Sequence, residues 1–249
     1  NYKLWELAHY IIHGDYIQCN DCGRVTTKEW DHAARKPREG ELTIYDQDYD
    51  YSVCWYCKSS NIRVGEPNCR FYLWMHTPKT DPGYNMELQQ RMWDISSNCI
   101  YTPNPGQDLT RQDMTNLMAC FDMMYYPSGG EGFSNPMVEI LAMSIPVVYS
   151  NYSSHAETAK FGGLPVRVSY IPEIHHGIQR AVVDNNHAVE QCLKLIGSPE
   201  LRLQLGQSGR QFISNYNLST MADAWDLIFT EMMQKPPPIK SGKMYGGVV

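Results

Sequence analysis

The stretch 121-FDMMYYPSGGEGFSNPMVEILAMSIPVVYS-150 decides how this chain is read. DMMYY (122–126) has the apolar, aromatic texture of a strand. PMVEILAMS (136–144) has the spacing of a helix, and PVVYS (146–150) reads as a strand again. The loop between the first strand and the helix holds Gly129, Gly130, Gly132 and one carboxylate, Glu131. The helix is expected to open at Asn135, a favoured cap, with Pro136 at the first helical position, where its missing N–H costs nothing. Glu139 then lies in its early turns.

A helix N-terminus offers free N–H groups and partial positive charge, which seat a phosphate. Glycines let the backbone approach a ligand closely. A carboxylate accepts two hydrogen bonds at once and so grips a vicinal diol. One acid in the loop and one on the helix, with amides between them, match the ribose, diphosphate and hexose of a nucleotide sugar. Each acid also has a plainer reading. Glu131 could be a solvated loop residue, and Glu139 could simply complement the helix dipole.

Working outward, strands and helices alternate. Leu4, Leu7, Ala8, Ile11 and Ile12 share one helical face over residues 3–13. RFYLWMHT (70–77) reads as a buried strand, MELQQRMWDI (86–95) as a helix and CIYT (99–102) as a short strand. Thr110 with Asp113 forms a capping signal for a helix through Met118. Further elements are a helix around SSHAETAKF, the strand LPVRVSY (164–170), and helices near 185–196, 198–214 and 219–233, the last capped by Ser219. This alternation predicts an α/β fold with a Rossmann-like parallel sheet flanked by helices. Such sheets bind ligands at the carboxyl ends of their strands, beside helix N-termini.

The bulk numbers fit that reading. With 249 residues, 43% of them hydrophobic, the chain can bury one large core or two modest ones. A net charge of −6 argues against a protein that coats nucleic acid. No apolar run approaches the roughly 18 residues of a membrane span. NYKLWELAHYII lacks the features of a signal peptide. There is no initiator Met, which fits processing or a longer product.

The cysteines form a second constellation. YIQCNDCGRVTT and YSVCWYCKSS place Cys19 and Cys22, then Cys54 and Cys57, as two Cys-x-x-Cys pairs separated by thirty-one residues. Two such knuckles supply four thiolates in tetrahedral array, a structural zinc ribbon. Redox-active pairs and paired disulfides are the alternatives. Cys69, Cys99, Cys120 and Cys192 are scattered, which speaks for thiols in a reducing, cytoplasmic setting. Between Gln18 and Cys69, seven Lys/Arg face nine Asp/Glu, so nucleic-acid binding by this segment is not expected. The segment reads as an insertion that docks a partner or an acceptor, with His32 available but unneeded as a ligand.

The opening stretch resembles the signature of the retaining glycosyltransferases of family 4, enzymes of the two-Rossmann-domain GT-B fold. In these a strand ends in PS, followed by EGFG-LP-LLEAMA-G-PVV-S and a final Glu. PSGGEGFSNPMVEILAMSIPVVYSNYSSHAE matches it in order and register. The resemblance runs from about Arg70 to Met233 and includes LRLQLGQSGRQFISNY; residues 1–17 resemble the first helix of the same domain.

The resemblance implies that Glu131 bonds donor-sugar hydroxyls and acts in catalysis. It implies that Glu139 binds the ribose, and that Gly132, Phe133, Ser134 and Asn135 offer amides to the sugar and diphosphate. Tyr101, Thr102 and Pro103 would lie where the family contacts the nucleobase; a plain strand-to-turn reading is equally open, and His76 and Thr77 end the neighbouring strand. Ser134 and Asn135 stand where the family has Gly and Leu.

The fold implies no catalytic metal. The expected partners are a nucleotide-diphosphate sugar donor, a hydroxyl acceptor, and an N-terminal Rossmann-like half on this or another chain, because the family's opening strand and its cationic loop do not precede Asn1. The organisation expected is a first helix at 1–17, a zinc-ribbon insertion at 18–69, a nucleotide-sugar-binding domain at 70–234 and a disordered tail at 235–249. A non-catalytic Rossmann-like and zinc-ribbon interaction module, and a phosphorylase-like relative, are the competing readings.

Overall fold

The structure, a computed structural model, describes residues 2–27, 30–31, 36–37, 52–54, 56–68, 70–76, 80–81, 84–102, 109–174 and 177–235. The expectations placed on His32, Cys69, Thr77, Pro103 and the tail from residue 236 lie outside these.

Helix α1 (Tyr2–His13) leads into β1 (Tyr16–Cys19) and β2 (Val25–Thr27), and β3 (Ile62–Val64) returns to pair with β1. Next come β4 (Leu73–Met75), α2 (Met86–Met92), β5 (Cys99–Tyr101), α3 (Arg111–Met118), β6 (Met124–Tyr126) and α4 (Asn135–Ala142). Then β7 (Val147–Ser150), α5 (His155–Thr158), β8 (Gly163–Val166), β9 (Val168–Tyr170) and β10 (Val182–Val183) precede α6 (Asn185–Gly197), α7 (Pro199–Ile213) and α8 (Leu218–Gln234).

This is a mixed α/β fold with parallel sheets flanked by helices. Strands β6, β7 and β8 form a parallel sheet with β7 central, Tyr126 facing Tyr149 and Ser150 facing Val166. A second parallel pair joins β4 to β5. Strand β7 is buried at all four positions, as expected of a strand covered on both faces. Alternation divides its side chains. Val148 packs with Leu7, Tyr10 and Ile11 of α1 and Val189, Cys192 and Leu195 of α6. Val147 and Tyr149 face the other way, onto Met137, Ile140 and Leu141 of α4 and Ile213 of α7. A third cluster seats Trp5, Ala8 and Ile12 of α1 against Met75, Met86 and Trp93. Helix α1 therefore serves two clusters, and the broad apolar face read from its sequence is what that requires.

Three local readings are corrected. LPVRVSY is not one strand: β8 pairs parallel with β7, whereas β9 turns away and pairs antiparallel with β10. Residues 168–174 and 177–183 thus form an arm, continued by a second antiparallel pairing of Glu173–Ile174 with Ile178–Gln179. Helix α4 is capped by Ser134, which adopts the left-handed region (φ 57°) and makes no side-chain cap bond, so Asn135 is already helical and Pro136 comes second. Helix α8 is capped by Asn217, whose side chain accepts from the Thr220 amide at 2.9 Å, and Ser219 lies inside the first turn. The Thr110–Asp113 capping box forms as read.

Among the described residues no helix is long and apolar enough to cross a membrane. Helix α8 leaves Trp225, Phe229 and Met232 about half exposed, with Trp225 and Phe229 stacked on each other.

Candidate functional site

The glycine loop sits at the carboxyl end of β6, between that strand and α4. Glu131 is half-buried and firmly held. Its Oε1 accepts hydrogen bonds from the Tyr126 hydroxyl and from the Ser128 hydroxyl, the latter at 3.2 Å. Its backbone carbonyl accepts from the hydroxyls of Ser153 (2.6 Å) and Ser154 (2.9 Å). No described residue bonds its second carboxylate oxygen. The reading of Glu131 as a freely solvated loop residue therefore fails. Burial, and then the bond to Glu131, push the Tyr126 phenol above its usual value, so it stays a protonated donor.

The loop is tightly packed at two of its three glycines, and Gly130 also needs a backbone that favours glycine. A Cβ on Gly129 would stand 3.2 Å from the Ala181 carbonyl, and Gly130 (φ 139°) has the Tyr152 ring 3.1 Å from where its Cβ would be. Around Gly132 there is open space. The arm closes over the first two: the Ala181 amide donates to the Gly129 carbonyl and Arg180 Nη1 to the Gly130 carbonyl, both at 2.9 Å.

Gly132, Phe133 and Asn135 are exposed, and Ser134 is buried. None of these four amides donates to a backbone carbonyl within the described residues, which leaves them available at the start of α4. Glu139 is exposed one turn into α4 and has no hydrogen bond or ion pair with a described residue. The proposed nucleobase wall looks different. The Thr102 hydroxyl is buried and engaged by Trp74 Nε1 (3.1 Å) and His76 Nδ1 (3.0 Å), which favours the strand-to-turn reading.

Sequence reasoning missed Tyr126, Ser128, Ser150, Ser153, Ser154, His155 and Arg180. A signal existed for most of them, since YSNYSSH (149–155) packs hydroxyls and an imidazole directly after a strand. Arg180 had none, because the segment between the strand read to Tyr170 and the helix near 185 carries no periodic pattern.

The second site is metal-like. The Sγ atoms of Cys19, Cys22, Cys54 and Cys57 all lie within 4.8 Å of one another. The close pairs, Cys19–Cys57 at 3.5 Å and Cys22–Cys54 at 3.6 Å, join the two knuckles. These spacings far exceed a disulfide bond. They are close to the edge of about 3.8 Å of a tetrahedron with metal–sulfur bonds near 2.3 Å. Knuckle geometry supports it: the Gly23 amide bonds the Cys19 carbonyl (3.0 Å) with Gly23 at φ 73°, and the Lys58 amide bonds the Cys54 carbonyl (2.9 Å). The thiols act on one another. Burial raises Cys54, but amide bonds from Cys57 and Tyr56, together with its thiol neighbours, outweigh it and bring the group down to about 7. Burial pushes Cys22 up to about 12, and Cys57, lowered by the Ser59 amide, is pushed up on balance by the neighbouring thiols. The four cysteines can hold a zinc ion.

No protein-family model matches the chain, and no curated protein matches it. Among solved structures it is similar to a sucrose-phosphate synthase from Thermosynechococcus elongatus, at 15% identity over 60% of this chain and 34% of that one, with a TM-score of 0.48. It is similar to a glycosyltransferase from Rickettsia africae ESF-5 at 17% identity, over 66% of this chain and 41% of that one, TM-score 0.48. WaaG, a glycosyltransferase involved in lipopolysaccharide biosynthesis, aligns at 18% identity over 57% of this chain and 34% of WaaG, TM-score 0.43. The chain spans less than half the length of each.

Proposed function

We propose that this chain is the donor-binding part of a retaining glycosyltransferase that moves a hexose from a nucleotide diphosphate to a hydroxyl acceptor. The observation that carries the reading is the clamped Glu131 beside four uncommitted amides at the start of α4. A carboxylate fixed on one oxygen and free on the other is arranged to take a sugar hydroxyl. Amides of Gly132, Phe133, Ser134 and Asn135 would receive the diphosphate, and exposed Glu139 the ribose. Preorganised donors of this kind stabilise the charge that develops on a leaving diphosphate.

The uncovered apolar face of α8 supports a further domain packing there, as the partner half would. The four cysteines would hold a structural zinc with no part in the chemistry, because a closed thiolate site leaves no open coordination position.

Calorimetric titration with UDP, GDP and ADP and their sugar conjugates tests the reading. Micromolar or tighter binding of one base is the expected result. Glu131→Gln should abolish transfer by the completed enzyme. Binding of none of the six would instead favour the interaction module.

A further inference from the structure

We propose that His155 is the positioning residue for the Glu131 carboxylate, acting through Ser150 and Ser128 so that one carboxylate oxygen is held by the protein and the other is presented to a sugar hydroxyl. This rests on the donor-binding reading and goes beyond it, since nothing in the signature motif assigns a role to this histidine.

The direction of the hydrogen bonds fixes the argument. His155 is fully buried at the start of α5, with Nδ1 at 2.9 Å from Ser150 Oγ. Ser150 Oγ also bonds the Ser128 carbonyl oxygen at 2.5 Å. A carbonyl cannot donate, and a serine hydroxyl has a single hydrogen, so Ser150 must donate to Ser128. Ser150 can then only accept from the imidazole, and the ring hydrogen is on Nδ1. The relay therefore runs one way, from His155 N–H to the Ser150 hydroxyl to the Ser128 carbonyl.

Ser128 turns its own hydroxyl onto Glu131 Oε1. The other donor to that oxygen, Tyr126, is braced by the same imidazole: the two rings meet edge to face, 5.4 Å between centroids at 85°. Both groups gripping Oε1 thus lean on His155. The two serines just before it, Ser153 and Ser154, hold the Glu131 carbonyl. The other ring nitrogen, Nε2, is buried with no hydrogen-bond partner among the described residues. It is a bare lone pair in this tautomer. Burial lowers the imidazole's proton affinity, which keeps it neutral and the relay pointed toward Glu131.

A histidine that merely filled the core would affect every ligand alike. A positioning role affects only the part of the ligand that Glu131 touches. The test measures calorimetric affinities of the 249-residue chain for UDP against UDP-glucose, GDP against GDP-mannose and ADP against ADP-glucose. Wild type is expected to prefer one sugar conjugate over its bare diphosphate. His155→Phe and Ser150→Ala should each cut that preference about tenfold and leave affinity for the bare diphosphate unchanged. His155→Asn, which can present an N–H where Nδ1 stands, should restore most of it. An undiminished preference in both His155→Phe and Ser150→Ala overturns the role of His155 and leaves the donor reading standing. So does a parallel loss of both affinities. Failure of wild type to bind any of the six ligands overturns the donor reading itself, and this inference with it.

Discussion

Thr27 donates both its backbone N–H and its hydroxyl to the side-chain oxygen of Asn186, at 3.0 and 2.7 Å. The bond joins the strand that follows the first cysteine knuckle to the first turn of α6. Val25 of the same strand is buried in one cluster with Val189 of α6, and Arg24 lies 4.6 Å over the Tyr56 ring from the second knuckle. The cysteine sheet is thus part of the main core rather than an appendage.

Metal removal should therefore destabilise the whole fold. Chelation is expected to lower the midpoint of the main thermal transition, and metal analysis to find about one zinc per chain. Asn186→Ala, which strands two part-buried donors, should cost about 1–3 kcal/mol and shrink the effect of the chelator. An unchanged midpoint after complete demetallation would refute the coupling.

Acid should destabilise the protein. Burial lowers His155, and burial followed by Arg167 lowers His187, whose Nδ1 accepts the Arg167 amide at 2.9 Å. Both folded values lie below the ordinary 6.5, so the unfolded chain takes up protons first. The stability these two groups contribute is complete above pH 6.5 and is lost as pH falls through their folded values. Urea midpoints should hold from pH 7.5 to about 6.5 and fall from there to pH 5.5, less steeply in His187→Gln.

The sequence revealed the strand–helix alternation because each element carries its own period, and β7 and α1 bury what their patterns require. It revealed the two acids because they sit at fixed distances from a strand end and a helix start. It could not reveal the clamp on Glu131. That clamp depends on Ser128 of the glycine loop meeting Ser150 at the end of β7 and His155 at the start of α5, and a hydroxyl has no sequence periodicity. The arm at 168–174 and 177–183 was missed for a related reason: Arg167 lies between two strands of opposite pairing, and pairing direction is not written in local pattern. The caps at Ser134 and Asn217 were each misplaced, by one and two residues, because neighbouring Asn and Ser residues are all competent caps.

Ser134 is a built-in weakness with a simple repair. Its φ of 57° is the left-handed region, which costs a residue with a Cβ roughly 1–2 kcal/mol, and its hydroxyl is buried beside the Tyr126 phenol with no well-aligned hydrogen bond among the described residues. Ser134→Gly removes the backbone strain and is the residue the resembled signature has at this position. A gain of about 1 kcal/mol in urea unfolding is expected, partly offset by the greater entropy of glycine in the unfolded chain. A loss of stability would show that the hydroxyl has a role not visible in these contacts.

Helix α7 meets the α4–β7 connection through glycine, and this decides the sign of one last substitution. A Cβ on Gly206 would fall 1.9 Å from the Ser144 carbonyl oxygen and 2.7 Å from its carbon. Ser144 cannot easily yield, because its own φ of 63° already holds it in a strained turn. Three residues on, a Cβ at Gly209 would be 2.8 Å from both Gly162 Cα and Leu141 Cδ2. Helix propensity alone favours Gly206→Ala by about 1 kcal/mol. Relieving a backbone clash that short means parting α7 from the turn that anchors α4, a cost of about 3 kcal/mol or more. The clash wins, so Gly206→Ala should be destabilising by about 2–3 kcal/mol. Gly197, at the end of α6, has nothing within 4 Å of its Cβ position, and Gly197→Ala should be neutral or slightly stabilising. Because α4 carries Glu139 and the free amides, Gly206→Ala should also weaken sugar-nucleotide binding while Gly197→Ala leaves it intact. Equal stability in the two variants would mean that α7 is not packed on α4 this closely.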